Sequence, residues 1–181
     1  SNPVPMLPPA RAKSYWQDRT AMNAVSQAPG FAGLVPTGGV IPELPVLSKD
    51  AALLTLARHS ADLVGQSALL IHERLRTREA LGPTGFGGGV AIPHARLAGL
   101  PDCVALVARL PQPIDWGAVD GQPVDLLVLL LSPEGAGADH LKALARISRA
   151  LRDPESVPAL RAAGTAEAMM AALSGQAAVA A

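Results

Sequence analysis

Two periods organise the apolar residues of this chain. From 48 to 80 they recur three and four apart. Ser48 is a candidate helix cap and Asp50 falls in the first turn. Leu53, Leu56, Ala57, Ser60 and Val64 then share one face, and Gly65 is placed to end the helix. A second helix is expected from about Ser67 to Ala80, with Ala68, Ile71 and Leu75 turned inward. The period then drops to two. "VAIPH" reads as a strand, because Ile92 precedes a proline and is pushed toward extended backbone. "CVALVARL" (103–110) is β-prone. "DLLVLLLS" (125–132) is apolar on both parities, which predicts a central strand covered on both faces. "VIPELPVL", from Val40, suits an edge strand, where prolines are tolerated. Asp120-Gly121 is a turn signal. The helical period returns at Asp139, an expected N-cap, with Leu141, Leu144, Ile147, Ser148 and Leu151 as its stripe. Asp153 and Pro154 stop that helix and are expected to open another, which Gly164 ends. Thr165 caps a last helix that runs to Gly175. The whole predicts an α/β domain with a mixed sheet and a helical C-terminal end.

Residues 1–38 break this order. Pro3, Pro5, Pro8 and Pro9 deny helical continuity, and the segment reads as a flexible arm. The expected division is that arm, one domain over 39–176, and a tail over 177–181. Whether Ser1-Asn2 is a cloning remnant, and Met22 the natural start, is left open. Aromatic residues are only 3% of the chain, so the core must be aliphatic. Fifteen basic residues balance fifteen acidic ones without a block of either sign, which argues against a nucleic-acid footprint or a polybasic membrane patch. No apolar run is long enough to cross a bilayer, so no membrane insertion is expected. One cysteine, Cys103, excludes an internal disulfide and every multi-cysteine metal motif; it is expected as a small apolar side chain within a strand. A cytoplasmic protein is the default expectation.

Several chemistries fail on inspection. "GPTGFGGG" lacks the Lys-Ser/Thr of a nucleotide P-loop. "IHERLR" opens like a zinc-protease helix, but Arg76 stands at the second histidine position. No Gly-x-Ser-x-Gly is present. His59, His72, His94 and His140 lack metal-ligand spacing, and His59 and His72 are read as solvated. No metal and no cofactor is expected.

His94 differs from the other three. Alternation puts Val90, Ile92 and His94 on one face, and the bland reading is a packed core histidine. Three features compete with it. Gly85, Gly87, Gly88 and Gly89 clear side chains from the preceding loop, whose N–H groups can approach an anion, although a plain flexible turn needs the same glycines. His140 falls at a helix start, where the positive end favours a neutral ring and a nearby anion. Arg78 ends the helix before the glycines, and its planar fork suits phosphate oxygens. A neutral imidazole is a competent nucleophile. A phosphoryl group accepted from another phosphohistidine would need no nucleotide or magnesium site.

"REALGPTGFGGGVAIPHARL" together with "AVDGQPVDLLVLLLSPEGAGADHLKALARISRALRD" closely resembles the IIA domains of the phosphoenolpyruvate-dependent sugar phosphotransferase system, mannitol/fructose type. The nitrogen-regulatory (PtsN-like) branch is the nearest in pattern, over roughly residues 40–175. The resemblance implies a mixed, mainly five-stranded sheet flanked by helices. It implies His94 as the phosphoryl acceptor, with Arg78 and His140 as active-site partners. Gly87, Gly88 and Gly89 are the expected phosphoryl-binding amides. The implied donor is an HPr- or NPr-like phosphocarrier protein, and the implied targets are regulatory, such as potassium-transport proteins or sensor kinases. Two other roles are kept in view: a sugar-transport IIA component that relays the group to a IIB domain, and a binding module without turnover. Three positions depart from the family pattern: Pro83, Gly88 and Ala95 stand where Ser, Asn and Gly are usual.

Overall fold

The structure, a computed structural model, describes Trp16 and residues 30–175. The expectations for the rest of the N-terminal arm and for the 177–181 tail lie outside the described residues. Residues 30–38, read from the sequence as the end of the arm, are packed instead. Phe31 is fully buried, Leu34 and Val35 are buried beside it, and a 3-10 turn spans Ala32–Leu34. Burying Phe31, Leu34 and Val35 stabilises the segment, and Pro36 is the one proline within it. Trp16 packs on the core, and its indole N–H donates to the Val64 carbonyl at 3.4 Å.

Six strands make one mixed sheet. They are β1 (Val40–Ile41), β2 (Gly85–Gly87), β3 (Val90–Ala91), β4 (His94–Leu97), β5 (Val104–Ile114) and β6 (Val124–Pro133). The order is β1-β5-β6-β3-β2, with β4 also paired to β6. β3 and β4 both run parallel to β6 in one register, from Val90 opposite Leu126 to Leu97 opposite Pro133. Ile92-Pro93 interrupts the ladder between them, because proline has no N–H to give. The two short strands therefore share one place in the sheet, and six strands fill the five positions expected.

β6 is the central strand that its composition predicts. Leu127, Leu129 and Leu131 enter a core with Leu56, Ile71 and Leu75. Leu126, Val128 and Leu130 enter a second core with Phe31, Ile147 and Met169. Helices α1 (Lys49–Val64) and α2 (Ala68–Ala80) supply the first core. Helices α3 (Ala138–Arg152), α4 (Ser156–Ala162) and α5 (Ala166–Leu173) supply the second. Ser48, Ser67 and Thr165 cap their helices, accepting from the N–H groups of Ala51, Leu70 and Ala168.

The N-terminus of α3 corrects an expectation. Its cap is Gly137, whose backbone (φ +48°) favours glycine, and Asp139 sits inside the first turn. The inward stripe is accordingly His140, Ala143, Ile147 and Leu151, while Leu141 is 63% exposed. α4 also begins later than expected. Asp153 Oδ1 accepts the Glu155 N–H at 3.0 Å, and that turn separates the two helices.

Candidate functional site

Three segments converge on one imidazole. Arg78 lies in the last turn of α2, His94 opens β4, and His140 lies in the first turn of α3. Arg78 Nε donates to His94 Nε2 at 3.1 Å, and Arg78 Nη1 donates to the Gly82 carbonyl at 2.9 Å. His94 Nδ1 lies 2.8 Å from the Ile92 carbonyl. A carbonyl only accepts and a guanidinium only donates. The ring proton of His94 therefore sits on Nδ1, and the lone pair is on Nε2. The His140 ring stands 5.6 Å from that of His94, centroid to centroid, tilted by 48°. His140 Nδ1 is 2.7 Å from Ser132 Oγ.

The electrostatics keep both rings neutral. Burial lowers the pKa of His94 below the ordinary 6.5; the Ile92 carbonyl opposes this, and Arg78 adds to it. His140 is pushed down to about 4, by burial first and then by the Arg96 and His94 charges. At neutral pH each histidine thus carries one ring proton.

Arg78 is braced from behind. The Glu79 carboxylate is 6% exposed and pairs with Lys49 Nζ at 2.7 Å. It also accepts the Thr84 N–H at 3.2 Å and the Thr84 hydroxyl. Lys49 reaches the Trp116 carbonyl at 3.1 Å, and the Trp116 indole N–H lies 3.4 Å from Thr84 Oγ1. The 81–84 loop, which carries the Gly82 carbonyl that holds Arg78, is fixed by this network. Pro83 stands in it without disturbing a hydrogen bond, since the loop donors are Leu81, Gly82 and Thr84.

The glycines are elsewhere. Gly87, Gly88 and Gly89 have φ of 103°, 63° and 82°; Gly87 ends β2, and Gly88 and Gly89 form the turn to β3. The Gly89 carbonyl accepts from Asp125 N and Leu126 N, whereas His94 lies beside Leu130. Four residues of β6 separate those levels, about 13 Å of strand. The Gly88 N–H is taken by Asp120 Oδ2 at 2.9 Å. Its carbonyl accepts from Arg161 Nη2 at 2.7 Å, and Arg161 also grips Asp125 through Nε and Nη2. The N–H groups of Gly88 and Gln122 hold the Asp120 carboxyl below its ordinary pKa. The expected cradle of glycine amides around His94 is corrected on this point: a carboxylate already occupies the amide, at the far end of the strand.

Two residues were not singled out from the sequence. Arg96 lies two positions beyond His94 on the same side of β4, exposed, and its charge acts on both histidines. Strand parity was signal enough to find it. Ser132 was signalled as the polar end of an apolar run, and it is fully buried against His140. His59 is exposed, as expected, with Nε2 2.7 Å from the Gly38 carbonyl. His72 is not solvated: its side chain is 15% exposed, its Nε2 lies 3.7 Å from Asp50 Oδ1 of α1, and that nitrogen has no hydrogen-bond partner among the described residues. Cys103 is buried immediately before β5 rather than within it. Among the described residues no group of three or more His, Cys, Asp or Glu side chains could hold a metal ion, and no helix is long and apolar enough to cross a membrane.

Residues 37–176 match the family model described as phosphoenolpyruvate-dependent sugar phosphotransferase system, EIIA 2. A nitrogen regulatory protein of Bradyrhizobium diazoefficiens is 52% identical over 140 residues, covering 77% of this chain and 92% of the relative. One from Pseudomonas aeruginosa is 42% identical over 137 residues, covering 75% and 89%. The crystal structure of nitrogen regulatory protein IIA-Ntr from Neisseria meningitidis superposes with a TM-score of 0.74 at 31% identity, covering 79% of this chain and 98% of that one. The mixed sheet, the convergence of Arg78, His94 and His140, and these likenesses agree, and the chain belongs to the EIIA 2 family of the phosphoenolpyruvate-dependent sugar phosphotransferase system.

Proposed function

We propose that this protein is a regulatory phosphocarrier that accepts a phosphoryl group on Nε2 of His94 from the phosphohistidine of an HPr- or NPr-like carrier. The observation that carries this reading is the pair of bonds on one ring. Ile92 holds the proton on Nδ1, and Arg78 marks the lone pair on Nε2. In the transfer that lone pair forms the new N–P bond. The P–N bond of the donor breaks, and its electron pair stays on the donor nitrogen. Arg78 releases Nε2 and moves to a phosphoryl oxygen, where a guanidinium is a stronger partner. His140, neutral and adjacent, supplies a second donor to the equatorial oxygens. Positioning and charge stabilisation of this kind carry most of phosphoryl-transfer catalysis.

The family and the nitrogen regulatory relatives support a regulatory outcome. Adding a phosphoryl group puts about two negative charges beside Arg78 and Arg96. The positive surface that a partner meets there is neutralised. Proteins that set potassium transport and sensor kinases are the targets this reading expects.

The test is labelling. Wild-type protein incubated with phosphoenolpyruvate, Enzyme I and the carrier is expected to take up one phosphoryl group, and His94→Ala none. Uptake by His94→Ala would overturn the assignment. Adding a sugar-specific IIB protein is expected to leave the label in place; its rapid depletion would indicate a transport relay instead.

A further inference from the structure

Ser132 ends the apolar run of β6, and its side chain is sealed from solvent. Its hydroxyl oxygen lies 2.7 Å from His140 Nδ1 and 3.5 Å from Cys103 Sγ. The sulfur lies 3.9 Å from the Asp139 carbonyl. Two directions of donation fit the Ser132–His140 bond. In the first, the Ser132 hydroxyl donates to His140 Nδ1, the thiol proton goes to Ser132 Oγ or to the Asp139 carbonyl, and the ring proton of His140 is on Nε2. In the second the Ser132–His140 bond reverses. His140 Nδ1–H donates to Ser132, Ser132 donates to the sulfur, and the thiol donates to the Asp139 carbonyl.

Bond strengths separate the two. A neutral imidazole nitrogen is a good acceptor and a hydroxyl a good donor, whereas a thiol sulfur is weak in both roles. The first direction gives the hydroxyl proton to the imidazole at 2.7 Å. The second spends it on sulfur at 3.5 Å and leaves the thiol proton a carbonyl at 3.9 Å.

We propose that Ser132 is a positioning residue that holds His140 as the Nε2–H tautomer and so points a hydrogen-bond donor at the phosphoryl group on His94. This rests on the reading of His94 as the acceptor. Ser132 touches no phosphoryl oxygen; it acts through the His140 ring. His140 Nε2 has no hydrogen-bond partner among the described residues, so its proton is free for an incoming oxygen. The opposite tautomer would face phosphoryl oxygens with a lone pair and repel them. The burial that keeps His140 neutral is what makes the tautomer matter, since a doubly protonated ring would donate from both nitrogens. His94 and His140 thus hold opposite tautomers side by side: one offers a lone pair at Nε2 and the other a proton.

Long-range proton–nitrogen correlation spectra of the full chain, labelled with nitrogen-15 and recorded at neutral pH, read both rings at once. The expected result is a protonated Nε2 on His140 and a protonated Nδ1 on His94, each identified by its loss in the corresponding glutamine variant. A proton on Nδ1 of His140 overturns the proposal without any variant having to fold. Ser132→Ala is expected to shift His140 toward a mixture of tautomers and to slow phosphoryl uptake by about tenfold. A Ser132→Ala protein with an unmixed Nε2–H ring and the wild-type rate contradicts the proposal. If wild-type protein takes up no phosphoryl group, the reading of His94 fails, and the ring spectrum still decides the direction of the chain.

Discussion

The segment from Val90 to Leu97 has two ends, and they handle charge in opposite ways. At the glycine end, the charged groups Asp120, Asp125 and Arg161 already have partners of this chain. Asp120 takes the Gly88 N–H, and Arg161 joins the Gly88 carbonyl to Asp125. At the His94 end, two neutral rings and two guanidinium groups face one another without a carboxylate among their direct hydrogen-bond partners. Glu79, the acid whose charge acts on His94, is spent on Lys49 and Thr84. The first end is built to stay as it is, and the second is built to receive an anion. Glycine-rich backbone marks conformational freedom, but an anion site also requires that no internal carboxylate has claimed the amides.

The comparison breaks most severely at Arg78. Arg78→Ala is expected to slow uptake by about 100-fold, the scale of losing one fixed donor to a developing anion. The fold should persist, since α2 keeps its inward residues Ile71 and Leu75; unchanged kinetics would mean that the guanidinium takes no part. Stopped-flow labelling with the phosphorylated carrier measures this.

Acidification gives the next effect. Unfolded histidine takes a proton near 6.5, whereas folded His140 takes one only near 4. Between those values the unfolded state binds more protons, so stability falls as pH drops through the window. Urea denaturation at pH 7.5 and pH 5 is expected to show a larger loss for wild-type protein than for His140→Gln. Equal losses would mean that the ring is not held neutral by the fold. Uptake itself should persist somewhat below pH 6.5, because His94 is also lowered and keeps its lone pair.

The glycine end should respond only in stability. Arg161→Ala removes a two-pronged, partly exposed pair with Asp125 and a bond to the turn, for an expected cost of about 1 kcal/mol. Uptake should not change; a slowed transfer would tie the turn to the chemistry after all. The smallest effect is expected from Gly88→Asn. An added Cβ there meets nothing within 4 Å, and φ of +63° is one that asparagine tolerates. Melting temperature and uptake should both stay near wild type, because Asp120 and Arg161 already hold the turn.

The legible parts of this molecule were those that depend on neighbours in sequence. The two-parity run 125–132 named the central strand, and Ser48, Ser67 and Thr165 named helix starts, because caps and strand burial are local. Gly137 was missed since an uncapped glycine start leaves no side-chain signal, and Asp139 two residues later imitates one. The meeting of Arg78, His94 and His140 was supplied by resemblance. Spacings of 16 and 46 residues say nothing about space until α2 and α3 are laid on opposite faces of one sheet. The glycines misled for the same reason. They are close to His94 in sequence, but an extended strand carries them away from it. Ala95, where the family usually has Gly, fits because its methyl group points into the core that α1 and α2 cover.

The central claim is that Nε2 of His94 is the nucleophile. Nitrogen-15 and phosphorus-31 spectra of the phosphorylated wild-type protein test it most directly. A phosphorus coupling at Nε2 of His94, with the proton still on Nδ1 beside the Ile92 carbonyl, is the predicted result. A coupling at Nδ1 of His94, or at any ring nitrogen of His140, would contradict it.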